Sequence, residues 1–151
     1  MKHKQAPKPA APRQRGVSLI EVLVSVLVVS LGLLGAVALQ ATALRNNQGS
    51  YERTQTAILT QGIFDAMRAN MAGVLTGAYN TGGLICAAPA VADLASRDLG
   101  RWVTTMQTQI HSGACGSVAC NGSVCTVQVQ WDDSRATGGL AAQNISLSAQ
   151  L

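Results

Sequence analysis

Two sets of residues in this sequence have the type and spacing for chemistry: one carboxylate, Glu21, set at the start of an apolar run, and four cysteines, Cys86, Cys115, Cys120 and Cys125. Glu21 follows Arg13-Gln14-Arg15-Gly16 and Val17-Ser18-Leu19-Ile20, and it precedes an uncharged stretch from Val22 to Leu44. A carboxylate in hydrocarbon is costly and marks a functional position that needs a partner. The chemistry open to it is ion pairing, because its attraction to a cationic amine is strong in low dielectric. The plainer reading puts Glu21 at the headgroup boundary with access to water. The cysteines open two chemistries, metal binding and disulfide formation. Cys115-x4-Cys120-x4-Cys125 lacks the paired C-x2-C spacing of zinc sites, so two disulfides are expected and no metal. Four cysteines allow three connectivities. A turn at Asn121-Gly122 favours Cys120–Cys125, with Cys86–Cys115 joining a loop to the sheet.

The elements that must position these groups follow from hydropathy and periodicity. Val22–Leu44 exceeds the roughly 20 apolar residues needed to cross a bilayer. Lys2, Lys4, Lys8, Arg13 and Arg15 precede it, and only Arg45 and Arg53 follow closely. The positive-inside rule then keeps the N-terminus in the cytoplasm and exports everything after about residue 45. All four cysteines fall in the exported part, where an oxidising compartment favours disulfides. Residues 1–16, with Pro7, Pro9 and Pro12, read as a targeting or processing leader. Residues 17–44 form the membrane half of a helix, and residues 45–151 form the exported head.

No proline interrupts Val17 to Ala72, so one helix of about 55 residues, about 80 Å long, is expected. Its second half carries a one-sided stripe of Tyr51, Ile58, Leu59, Ile63, Met67 and Met71, with Glu52, Arg53, Gln61 and Arg68 largely elsewhere. The alternative is two helices broken near Asn47–Gly49. Gly73 to Gly83 reads as a loop. A second amphipathic helix is expected from about Asp93 to His111, with Asp93 or Ser96 as N-cap. Period-two alternation then predicts strands at Cys125–Trp131 and Ile145–Gln150, joined by Asp132–Gln143, with a shorter strand near Ser117–Cys120. The fold class is α+β, a small antiparallel sheet resting on the second half of the long helix.

Charge narrows the function further. After the leader the chain holds no lysine, and its arginines and acids nearly balance. Binding of phosphate backbones needs a cationic cluster, so no nucleic-acid partner is expected. No phosphate loop, nucleotide fingerprint or Ser/His/Asp or Cys/His constellation is present, so the chain is expected to be no enzyme and to need no cofactor. His111 reads as a helix C-terminal cap, Asp132-Asp133 as a turn rather than a calcium site, and Trp102 and Trp131 as core residues.

A basic leader ending in Gly16, a Ser-Leu-Ile-Glu after one apolar residue and a long hydrophobic helix resemble the class III signal of type IV pilins and type II secretion pseudopilins. The resemblance implies cleavage by a prepilin peptidase between Gly16 and Val17 and methylation of the new Val17 amine. It makes Glu21 the fifth mature residue, an assembly residue facing a neighbour's N-terminus. Leu31-Gly32-Leu33-Leu34-Gly35, Asp65-Ala66-Met67-Arg68-Ala69-Asn70 and Val127-Gln128-Val129-Gln130-Trp131-Asp132-Asp133 are similar to the PilV type of minor pilin. Two departures stand out: Val17 replaces the usual phenylalanine, and Ala38 replaces the helix-kinking proline of major pilins. The implied protein is a non-catalytic bacterial inner-membrane subunit, later on the cell-surface pilus. It would join other minor pilins and the major pilin, and support a tip adhesin, twitching motility or adhesion. A type II secretion pseudopilin is the alternative within the superfamily. Outside it, Ala36-Val37-Ala38 and Ala41-Thr42-Ala43 fit ordinary signal peptidase and would leave a soluble or membrane-anchored periplasmic binding module.

Overall fold

The computed structural model describes residues 16–151, so the leader expected over residues 1–16 lies, Gly16 apart, outside the described residues. Helix α1 (Leu19–Ala69) begins where the Ser18 carbonyl accepts the N–H groups of Glu21 and Val22. Glu21 in the first turn and Arg68 in the last match the helix dipole at each end. The helix does not break at Asn47–Gly49. Gly49 is needed there for space: a Cβ on it would lie 3.0 Å from Ala136 Cβ and 3.2 Å from Asp133 Oδ1. At the other end Asn70 stops α1 and starts the short helix α2 (Met71–Leu75), its side chain accepting the Gly73 N–H.

Residues 40–151 form one compact unit that holds the second part of α1 and all later elements. Helix α3 (Leu94–Gln109) is fixed at its start by a capping box: Asp93 accepts the Ser96 N–H, and the Ser96 hydroxyl accepts the Asp93 N–H. The same bond from the Ser96 N–H holds the Asp93 carboxyl below its ordinary value. Strands β1 (Cys115–Asn121), β2 (Val124–Trp131) and β3 (Gln143–Gln150) form an antiparallel sheet in that order. The β1–β2 loop is Gly122-Ser123, with Gly122 at φ +61°, rather than Asn121-Gly122. Glycine takes the first loop position because only there is a positive φ required in a two-residue hairpin of this kind.

The register places side chains in rows across the inner face of the sheet. Gly116, Val129 and Ile145 form one row, Val118, Val127 and Leu147 a second, and Cys120, Cys125 and Ala149 a third. Helices α2 and α3 pack against β1, and burial falls off across the second row, from 1% at Val118 and 0% at Val127 to 37% at Leu147. Phe64 and Met67 of α1, Trp102, Val103 and Met106 of α3, and Trp131 complete the core. Tyr79 ties the loop after α2 to this core: its hydroxyl donates to Asp98 Oδ2 at 2.8 Å and accepts from Asn70 Nδ2 at 3.2 Å. Burial is the main reason that its hydroxyl is pushed up to about 12.

The buried stripe of α1 differs from the expected one. Gly49, Glu52, Thr56, Thr60, Ile63, Phe64 and Met67 are covered, whereas Tyr51 and Ile58 are 55% and 56% exposed. Glu52, expected on the open face, is buried because an indole N–H meets it there. Thr56 is tolerated because its hydroxyl donates to the Glu52 carbonyl at 2.8 Å. At Gly116 the absent side chain is itself a packing element: a Cβ would overlap Trp102 Cη2 and Cζ3 and lie 2.8 Å from Met106 Cε. Replacing Gly116 by Val should therefore cost about 1–3 kcal/mol through overpacking. Thermal unfolding followed by circular dichroism reads this as a lowered Tm, and an unchanged Tm would contradict the close seating of Trp102 on β1.

Candidate functional site

Gly16, Val17 and Ser18 precede the first helical turn and are exposed, so the Gly16–Val17 peptide lies in exposed, non-helical chain. Four residues on, Glu21 sits in the first turn of α1. Among the described residues no cation or hydrogen-bond donor pairs with its carboxylate. Its carbonyl accepts the Ser25 hydroxyl, and the Val26 carbonyl accepts Ser30 Oγ at 2.7 Å. Both hydroxyls thus carry their partner on the helix itself, which removes the cost of an unsatisfied polar group in hydrocarbon. The most apolar 18-residue window of α1 has a mean hydropathy of 2.7, and none of it is buried. A Cβ on Gly32 or Gly35 would meet nothing within 4 Å. This half of the helix is long and apolar enough to cross a membrane, and none of the described residues covers it.

In the head, the structure joins Cys86 to Cys115 and Cys120 to Cys125. The first bridge links the loop before α3 to the start of β1, across 29 residues of sequence. The second spans a pair of directly opposed residues in the β1–β2 hairpin. No cysteine is free, and no cluster of metal-ligating side chains occurs among the described residues.

Residues 11–37 match the family model described as the prokaryotic N-terminal methylation motif. This match supports a type IV pilin-like protein. The matched segment contains Gly16, Val17 and Glu21 and stops well before the head. Comparison with curated proteins and with solved structures gave no match. The motif points to a structural subunit rather than an enzyme, and it implies processing by a prepilin peptidase and assembly with other pilins. Together with the bare apolar helix it fits a single-pass inner-membrane anchor with a fate on the pilus surface.

The head contains a polar latch that sequence reasoning missed. Glu52, 5% exposed, accepts Trp131 Nε1 at 3.1 Å and Gln48 Nε2 at 3.3 Å. Asp133, 2% exposed, pairs with Arg53 Nη2 at 3.2 Å, while its N–H donates to the Leu140 carbonyl at 2.9 Å. These bonds fasten the loop between β2 and β3 onto α1 beside Gly49. Asp132, half-buried, accepts the Ser134 N–H at 2.9 Å, and hydrogen bonds from Ser134 hold its carboxyl below the ordinary value. The Asp132-Asp133 pair is thus a turn with one member turned inward. His111 serves the turn after α3, its Nδ1 accepting the Gly113 N–H at 3.0 Å. Trp102 and Trp131 are core residues, as their sequence context suggests.

The two bridges close loops of very different length, and the chain-entropy account makes the longer one count for more. Replacing Cys86 and Cys115 together by Ser should cost about 3–4 kcal/mol, and replacing Cys120 and Cys125 together about 2 kcal/mol. Denaturant unfolding of the two double variants gives the order, and equal losses would show that loop length does not govern the head's stability.

Proposed function

We propose that this chain is a minor pilin, a non-catalytic subunit that is cut after Gly16, methylated at Val17 and assembled with other minor pilins to start or prime a type IV pilus. One observation carries the reading: an N-terminal methylation motif is fused to a helix whose apolar half is exposed among the described residues. Such a surface is stable only in lipid or against other apolar helices, and a subunit that moves from membrane to filament core uses both in turn. The missing helix-kinking proline, with Ala38 in its place, favours an accessory subunit over the bulk fibre protein. The similarity of the segments around Asp65–Asn70 and Val127–Asp133 to PilV-type minor pilins points the same way. Twitching motility and adhesion are the processes that such a subunit serves.

Glu21 is the assembly residue in this reading. Once the leader is gone, Val17 of each subunit carries a cationic amine, and Glu21 of a neighbour offers its counter-charge in low dielectric. The pair neutralises both groups and sets the axial register between adjacent helices. Conversion of Glu21 to Gln keeps shape and hydrogen bonding but removes the charge. It should leave the subunit in the membrane and reduce its recovery in sheared pili at least tenfold. Normal recovery would reject the pairing.

Processing is tested directly by intact mass. In cells with active prepilin peptidase the protein should lack Met1–Gly16 and carry one added methyl group, and in peptidase-deficient cells it should retain the leader. A start near Leu39 or Leu44, or a leader retained in both strains, would refute the filament reading and leave a periplasmic or membrane-anchored module. Loss of pili with intact secretion of enzymes separates a minor pilin from a secretion pseudopilin.

A further inference from the structure

The two edges of the sheet are treated in opposite ways. Leu151 N–H donates to the Ser123 carbonyl at 2.9 Å, which fixes the parity of the ladder: odd-numbered residues of β3 face β2, as do even-numbered partners on β2 toward β1. The outward groups of β1 therefore belong to Gly116, Val118 and Cys120, and all are satisfied. Gly116 exchanges bonds of 3.0 and 2.8 Å with Ile85, Val118 bonds to the Thr81 N–H and Oγ1, and Cys120 bonds to both ends of the Asn80 side-chain amide. The outward groups of β3 belong to Asn144, Ser146, Ser148 and Gln150, and among the described residues no strand lies beside them. That edge spans eight residues without a charge or a proline, the devices by which open edges are usually guarded. Leu147, on the inner face next to it, is left 37% exposed.

We infer that β3 is a dimerisation edge whose occupant is β3 of a second copy of this chain, paired antiparallel about a two-fold axis at Leu147. The strand is self-complementary in that register. Asn144 meets Gln150 of the second copy and Ser146 meets Ser148, so every outward N–H and C=O on both strands finds a partner. On the inner face Leu147 stands opposite its own copy, and the large Ile145 stands opposite the small Ala149. On the outer face amide meets amide and hydroxyl meets hydroxyl, with no like charges opposed. Because outward-facing residues form the bonded pairs, Leu147 and its copy form a non-bonded pair, the closer of the two antiparallel spacings. The chain already holds a disulfide at a site of this type: Cys120 bonds outward to Asn80, so Cys120–Cys125 is also a non-bonded pair. A two-fold contact closes on itself, so the product is a dimer and not a fibre. The pairing uses the head alone and stands whether or not the filament role holds.

The test is oxidative cross-linking of the whole chain in detergent micelles, with copper–phenanthroline as oxidant. Leu147→Cys should give a disulfide-linked dimer, with peptide mapping showing the bridges Cys86–Cys115 and Cys120–Cys125 intact. Ser148→Cys, which stands opposite Ser146 rather than itself, should cross-link at least tenfold less. Ser146→Pro added to Leu147→Cys removes an N–H that pairs with nothing inside the subunit, and should abolish the dimer while the circular dichroism spectrum is kept. If that variant does not fold, light scattering on Leu147→Lys serves instead, with the unmodified chain dimeric and the variant monomeric, since like charges would then face each other at the axis. A monomeric unmodified chain, equal cross-linking at residues 147 and 148, or a dimer that survives both Ser146→Pro and Leu147→Lys would overturn the proposal, the last by placing the contact on α1.

Discussion

The constraint on which the rest depends is that, among the described residues, nothing covers the first half of α1. From Val17 to Leu44 the apolar side chains are exposed, and this surface cannot rest in water. It commits that half to lipid or to other helices, and it leaves the head to stabilise itself. The polar groups inside the segment follow the same constraint. Ser25 and Ser30 turn their hydroxyls back onto the helix, and Glu21 alone keeps a charge that the described chain does not answer. A residue that is costly in one environment and unpaired among the described residues is informative because the two serines that follow it in the helix are satisfied.

The head solves its own problem with modest means. Its aromatic content is low, so the core depends on the seating of Trp102 against Gly116, on the bond from Trp131 to Glu52, and on two disulfides. A buried carboxylate is a weak source of stability by itself. Glu52 and Asp133 instead fix which stretch of α1 the β2–β3 loop meets, since each is satisfied only by partners at one helical position. Gly49 allows that approach, so the glycine that looks like a helix breaker in the sequence is the point where the helix is most closely overlaid.

Much of this was legible in the sequence because the signals were local. The class III signal occupies consecutive residues, the capping box of α3 needs only Asp93 and Ser96, and the alternation of Cys125, Val127, Val129 and Trp131 spans one strand. The buried stripe of α1 was misread because its cover comes from far away: Glu52 is buried by a residue 79 positions distant. No periodicity announces that a charged residue will meet an indole N–H. Gly116 was equally silent, since a glycine in a strand says nothing until the tryptophan above it is located. The same holds for Asp133, whose inward turn depends on Arg53, 80 residues earlier.

The bridge between Cys86 and Cys115 bears on more than stability. It anchors the segment Asn80–Ile85, which occupies the outer edge of β1. Without that anchor the segment would cover that edge by hydrogen bonds alone. A subunit with one adhesive edge can at most pair, whereas a subunit with two can add copies without limit. This cysteine pair therefore helps to hold the cover of that edge in place, which bears on how many edges of the sheet the head leaves open.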